Sequence, residues 1–185
     1  EDRKEDGEDS REEDREEAIA SMPTGLEIRR SVPAAADGLW AILHAVLAAG
    51  ETYAWSPETT RDQALALWHP PGGHTFVAVA AGRLLGTYLL KANQPGLGDH
   101  VANCGYTVAP EARGRGLGET RCPHTRDAAR SRGVRAMQFN AVVSTNSGAI
   151  RLWERCGFTI VGTVPGAFRH PVHGDVAIHV MHRWL

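Results

Sequence analysis

Val108-Ala-Pro-Glu-Ala-Arg113-Gly114-Arg115-Gly116-Leu117-Gly118 is the stretch on which the reading of this chain turns. It follows a β-rich run, His100-Val-Ala-Asn-Cys-Gly-Tyr-Thr-Val108, and precedes a segment read as a helix. Its chemistry is that of an anion cradle. Glycines let the backbone turn tightly and gather unpaired N–H groups at one point, and a helix dipole behind them favours negative charge. Arg113 and Arg115 offer charge-assisted contacts to phosphate oxygens, so a diphosphate is the natural guest. A P-loop requires Lys-Ser or Lys-Thr after its last glycine, and Glu119-Thr120 does not supply it. A dinucleotide fingerprint requires an early βαβ unit and an acid on the next strand; here the glycines come after mid-chain, and Arg135-Ala-Met-Gln-Phe-Asn140 carries no acid. An R-x-x-G-x-G pattern, met by Arg113, Gly116 and Gly118, remains, with a plain solvated glycine turn as its alternative.

A second stretch narrows the choice. In Asn146-Ser-Gly-Ala149-Ile-Arg-Leu152-Trp153-Glu-Arg-Cys-Gly157-Phe158, the residues Ala149, Ile150, Leu152, Trp153 and Cys156 share one helical face and Gly157 is a C-terminal stop. That pattern, N-x-x-A-x-x-L-(Y/W)-x-x-x-G-F, resembles the closing helix of the GNAT superfamily of N-acetyltransferases, and the glycine loop resembles theirs. The likeness extends from about Leu26 to Leu185.

The resemblance implies an α/β fold: a mixed, mostly antiparallel sheet with helices on both faces and one splayed strand pair. It implies acetyl-coenzyme A as co-substrate, no metal, and direct attack by an amine without an acyl-enzyme. The pantetheine arm would lie in the splay as if it were an added strand. The backbone N–H of Val108 would hold the thioester carbonyl and stabilise its oxyanion. Arg113, Gly114, Arg115, Gly116, Leu117 and Gly118 would bind the diphosphate, and Asn146 the pantetheine arm. Two departures matter. Many relatives carry on the closing helix a tyrosine that protonates the leaving thiolate, and here that position is Trp153. The strand ahead of the loop also lacks the carboxylate that often serves as general base, which leaves a water chain. Histidine is the side chain that ordinarily changes charge near neutrality, so His100, His170 and His173 are the remaining acid–base candidates, with a plain surface role as the alternative for each.

Three further segments, His100 to Tyr106, Phe139 to Asn146 and Val161 to Gly166, resemble those of N-acetyltransferases that detoxify the proline analogue azetidine-2-carboxylate. In that group the asparagines matching Asn103 and Asn140 face the substrate, and Asn140 is also read as catalytic. A carboxamide accepts from an amine and donates to a carboxylate, so it orients an amino acid without carrying charge. The alternative for both is a strand-end cap. A peptide N-terminus or lysine as acceptor, and a non-catalytic sensor of acyl-coenzyme A, are the competing functions.

Outward from these motifs, periodicity gives the order β, α, α, β, β, β, α, β, α, β, β. Pro33 opens the first helix and Gly50 stops it; Pro57 and Glu58 open the second. Ala81-Gly82 marks a hairpin. Cys122-Pro123 falls inside the helix after the glycine loop, which is therefore expected to kink or begin late. Arg121, His124 and Arg126 leave that helix a weak apolar face.

The chain has 185 residues, 42% hydrophobic, enough for one core. Residues 1–20 are read as an acidic disordered tail, and 21–185 as a single domain. From Glu1 to Glu17 there are 11 acids and 4 bases, a charge of 4 − 11 = −7; removed from the formal net charge of −2, this leaves −2 − (−7) = +5 on the body. A mildly basic body suits a small anionic ligand, and no Lys/Arg run interleaved with aromatics points to nucleic acid. Cys104, Cys122 and Cys156 form neither a CxxC pair nor an even set, against both disulfides and a thiolate metal site. No apolar run is long enough to cross a bilayer. A cytoplasmic enzyme with a small-molecule amine as partner, and a homodimer formed through edge strands, are the expectations.

Overall fold

The computed structural model describes residues 25–185, so the acidic tail lies outside the described residues. Among the described residues the elements are β1 (Glu27–Arg30), α1 (Ala36–Ala49), α2 (Arg61–Trp68), β2 (His74–Ala80), β3 (Arg83–Ala92), β4 (Val101–Val108), α3 (Leu117–Arg130), β5 (Ala136–Val143), α4 (Ser147–Arg155), β6 (Thr159–His170) and β7 (Gly174–Trp184). This is the order that the periodicity predicts.

Local chemistry sets the boundaries. α1 follows a 3-10 turn begun by Pro33 and ends at Gly50, whose left-handed φ of 66° only glycine adopts freely. α2 corrects the expectation that it opens at Pro57. Thr60 and Gln63 form a capping box, with Gln63 N–H donating to Thr60 Oγ1 and Thr60 N–H to Gln63 Oε1, and this satisfies first-turn amides only when the helix begins at Arg61. Ala81 and Gly82 both have positive φ, as a two-residue hairpin turn between β2 and β3 requires.

The strands form one seven-stranded sheet in the order β1-β2-β3-β4-β5-β7-β6, in which β4 and β5 are the parallel pair. Alternation along β2 and β3 feeds two cores. Phe76, Tyr88 and Leu90 pack with Cys122, Ala129 and Trp153 of α3 and α4, whereas Val77 and Leu89 pack with Leu39, Leu43 and Leu47 of α1 and Trp68 of α2. Helices therefore cover both faces.

α3 does not start late: it begins at Leu117 and runs through Pro123 to Arg130. Its sheet-facing side is as polar as the sequence suggests. Arg121 and Thr125 are buried there beside Leu117, Cys122 and Ala129, so strand carbonyls, and not only apolar surface, dock this helix.

Candidate active site

β4 and β5 are paired only over Val101–Asn103 and Ala136–Gln138, although β4 continues to Val108 and β5 to Val143. The far end of β5 follows β7 instead, with Val142 opposite His179 and a register shift between Phe139 and Val142. The two strands thus part and leave a gap. Val101 O and Ala109 N–H both bond towards β3, while His100 O bonds towards β5. Odd-numbered residues of β4 therefore face β3 and even-numbered ones face β5. The N–H of Val108 and the carbonyl of Tyr106 consequently point into the gap.

A cavity of about 940 Å³ runs from this gap to the glycine loop. Arg113, Gly114, Gly116, Leu117 and Gly118 are on its wall. Gly114 and Gly116 have φ of 74° and 67°, and Gly116 is the N-cap of α3 without a side-chain capping bond, which leaves first-turn amides of the helix open to an outside anion. Gly118 has a different reason: a Cβ there would stand 2.5 Å from Leu152 Cδ2, so glycine lets Leu152 of α4 pack directly on α3 behind the loop. Arg115, between two left-handed glycines, is exposed and lies off the cavity wall, unlike Arg113. Glu119, an acid in the first turn, has Arg155 at 3.6 Å to offset it. Loop, dipole and gap thus suit a ligand with a diphosphate at one end and an extended amide-bearing arm at the other.

On the other side of the gap is a second cavity of about 1020 Å³. Thr52, Tyr106, Asn146, Ala149 and Trp153 line both cavities, so the two meet there. The second has an aromatic wall: the Tyr53 ring stacks on Trp55 at 5.2 Å, and both meet Trp68 edge-on. Asn103 and Asn140 both line it. Asn103 Nδ2 donates to Gln138 O at 3.1 Å, Asn140 Nδ2 donates to Asn93 Oδ1 at 2.7 Å, and Gln138 Nε2 donates to Asn140 Oδ1 at 2.8 Å. Both carboxamides thus donate to protein groups and retain acceptor lone pairs on oxygen. Among the described residues on this wall, Lys91 is the charged one, and there is no carboxylate.

Asn146, assigned by resemblance to the pantetheine arm, is also the N-cap of α4, accepting from Ala149 N–H at 3.1 Å. Trp153 is buried between Tyr106 and Phe139, with ring centroids 4.7 and 4.5 Å away, and acts as core. The histidines separate. His170 is buried and its Nδ1 accepts from the amides of Val172 and His173, which commits it to the β6–β7 turn; His170 and His173 reach the cofactor-side cavity, and His100 reaches neither.

Three residues carry no functional signal in the sequence. Tyr53 donates its hydroxyl to the gap-facing carbonyl of Tyr106 at 2.8 Å, and burial raises its phenol well above the usual tyrosine range. Lys91 comes from the end of β3. Arg121, 1% exposed, donates from Nε to Leu117 O and from Nη1 to both Thr87 O and Thr107 O; burial lowers its guanidinium to about 10, still a cation at neutral pH. No sequence pattern marks any of the three, because each role depends on a partner distant in sequence. Among the described residues no group of three or more His, Cys, Asp or Glu is placed to hold a metal ion, and no helix is long and apolar enough to cross a membrane.

Comparison with known proteins agrees with this geometry. The acetyltransferase (GNAT) family profile matches residues 40–158. N-acetyltransferase aca1 of Schizosaccharomyces pombe is 36% identical over 102 residues, 54% of this chain and 49% of that protein. A mycothiol acetyltransferase of Thermobispora bispora is 32% identical over 143 residues, 75% of this chain and 48% of that protein. The chain therefore spans about half the length of the curated relatives it matches. Among solved structures, a GCN5-related N-acetyltransferase from Kribbella flavida is 46% identical with a TM-score of 0.84, covering 89% of this chain and 100% of that one. With the family profile spanning both motifs and both splayed strands, the chain belongs to the acetyltransferase (GNAT) family.

Proposed function

We propose that this protein transfers the acetyl group of acetyl-coenzyme A to the amine of a small amino or imino acid of the azetidine-2-carboxylate type, as a detoxifying reaction in the cytoplasm. The observation that carries this reading is the charge of the acceptor cavity, where Lys91 is the charged residue among those described and carboxylates are lacking. A polyamine or aminoglycoside, with several positive charges, would find no counter-charge there. An amino acid finds a cation for its carboxylate, carboxamide oxygens of Asn103 and Asn140 for its ammonium, and the faces of Tyr53, Trp55 and Trp68 for an apolar ring.

In this reading the diphosphate sits on the amides of Gly114 to Gly118 with Arg113 beside it, the pantetheine arm lies along β4 past Asn146, and the thioester carbonyl accepts from Val108 N–H. The amine attacks the carbonyl carbon, the oxyanion forms on that N–H, and the C–S bond breaks as it collapses. Tyr53, whose neutral phenol is held on the next gap-facing group of β4, turns its proton from the Tyr106 carbonyl to the thiolate in place of the tyrosine that Trp153 replaces, and the phenolate, made strongly basic by burial, regains a proton from the water that takes up the amine's. The amine's proton leaves through water, since no carboxylate lines the acceptor cavity among the described residues. A homodimer through edge strand β6, where Ile160, Val161 and Val164 are exposed, completes the proposal.

The test is a matched pair of acceptors that differ in one group. Azetidine-2-carboxylate is expected to exceed azetidine in kcat/KM by about 10- to 100-fold, the value of a hydrogen bond to a charged group. Equal values for the two would refute recognition of a carboxylate.

A further inference from the structure

We propose that Arg121 is a positioning residue for acetyl transfer, gripping from inside the fold the carbonyl of the Thr107–Val108 peptide and so aiming and polarising the N–H that this peptide presents to the gap. The inference rests on the reading of Val108 as the holder of the thioester carbonyl.

A trans peptide is planar, and its C=O and N–H point to opposite edges of the strand. Thr107 O faces β3, where Arg121 Nη1 donates to it at 2.9 Å, and Val108 N–H faces the gap. A cation bonded to the oxygen of a conjugated unit draws electron density from its nitrogen, so the opposite N–H becomes a stronger donor, the more so in a low-dielectric interior. Nη1 also holds Thr87 O at 3.0 Å and Nε holds Leu117 O at 3.1 Å. The guanidinium is thereby fixed to β3, β4 and the first turn of α3 together, and these two of its nitrogens are committed to main-chain carbonyls rather than to a phosphate.

The fold makes room for this arrangement. A Cβ on Gly86 would stand 2.7 Å from Nη1, so glycine at that strand position admits the guanidinium. No carboxylate among the described residues forms an ion pair with Arg121, and its guanidinium carbon lies 5.6 Å from the Tyr106 ring centroid. An apolar side chain would dock a helix on a sheet without the desolvation cost of a buried cation. The positive charge stays uncancelled behind the point where an oxyanion forms, and a donor fixed in advance is worth most there.

The test follows the amide of Val108 by NMR together with steady-state kinetics in the full chain, comparing Arg121→Met, Arg121→Lys and Gly86→Ala. Arg121→Met is expected to move the Val108 amide proton upfield and to lower kcat about 10- to 100-fold, with the KM for acetyl-coenzyme A within about threefold of wild type. Arg121→Lys, which keeps the charge, recovers part of both. Gly86→Ala, whose methyl would stand 2.7 Å from Nη1 and 3.0 Å from Thr107 O and so parts the two while keeping the charge nearby, reproduces the shift and the kcat loss if Arg121→Met does not fold. An unmoved Val108 resonance in a folded variant overturns the proposal whatever the kinetics. A moved resonance with full kcat overturns it too, by removing Val108 from the chemistry while leaving the acceptor assignment untouched.

Discussion

Asn140 Nδ2 donates to Asn93 Oδ1 at 2.7 Å, tying β5, at the wall of the second cavity, to the loop after β3. With Gln138 Nε2 on its own Oδ1, the carboxamide is held in one orientation and keeps an oxygen lone pair for a substrate N–H. Asn140→Ala is predicted to lower kcat/KM for the acceptor by about 10- to 100-fold, through loss of a hydrogen bond to a charged group. The KM for acetyl-coenzyme A should stay unchanged, as initial rates with each substrate varied would reveal. Full turnover in the variant removes the assignment.

Lys91 is exposed, so its pairing with a carboxylate is screened by salt. Lys91→Met is predicted to cost about two- to fivefold in kcat/KM for a carboxylated acceptor at low ionic strength and less at high, as a solvated charge-assisted contact does. Its effect on an acceptor lacking the carboxylate should be small. Measuring both acceptors at two salt concentrations separates recognition from a general loss of fold.

Tyr53 and Trp153 are predicted to behave oppositely. Tyr53→Phe removes the phenol from the gap and should lower kcat about 100-fold, within the range of general-acid contributions. Trp153→Phe should keep kcat within about threefold and instead lower stability by about 1–3 kcal/mol, because Trp153 fills core between Tyr106 and Phe139. With water as the proton's exit, kcat/KM should rise about tenfold per pH unit below the amine's own pKa, without a bell near neutrality. Burial raises the Tyr53 phenol, so its deprotonation imposes no falling limb in that range.

Gly118→Ala is predicted to weaken acetyl-coenzyme A binding and to destabilise the fold by about 1–3 kcal/mol, as overpacking does. The new methyl would stand 2.5 Å from Leu152 Cδ2, so Leu152→Ala in the same chain should restore part of the affinity. Calorimetric titration of coenzyme A into the single and double variants reads this coupling directly. Additive losses would contradict the packing account.

Much of this architecture was legible because it is written in local backbone chemistry. The glycines of Arg113 to Gly118 and the cap and stop of Asn146 to Gly157 act within a few residues of themselves, and so do the alternations that define β2 and β3. The Thr60–Gln63 box was equally local and was overshadowed by Pro57 three residues earlier. What sequence could not give depends on approach in space. Arg121 reads along the chain as a blemish on an apolar face, and becomes a strand clamp only when β3 and β4 bring Thr87 and Thr107 to it. Tyr53 lies in an unpatterned loop and gains meaning only from Tyr106 O, and Asn140 from Asn93, 47 positions away.

The most direct test of the central claim is release of coenzyme A from acetyl-coenzyme A by the purified protein against a panel of imino acids, other amino acids, polyamines, aminoglycosides and short peptides, with each product identified by mass. The account predicts turnover concentrated on small amino or imino acids, azetidine-2-carboxylate foremost, with product gaining one acetyl group on nitrogen. Turnover confined to polyamines or peptides, or tight binding of acetyl-coenzyme A with no product from any acceptor, would contradict it.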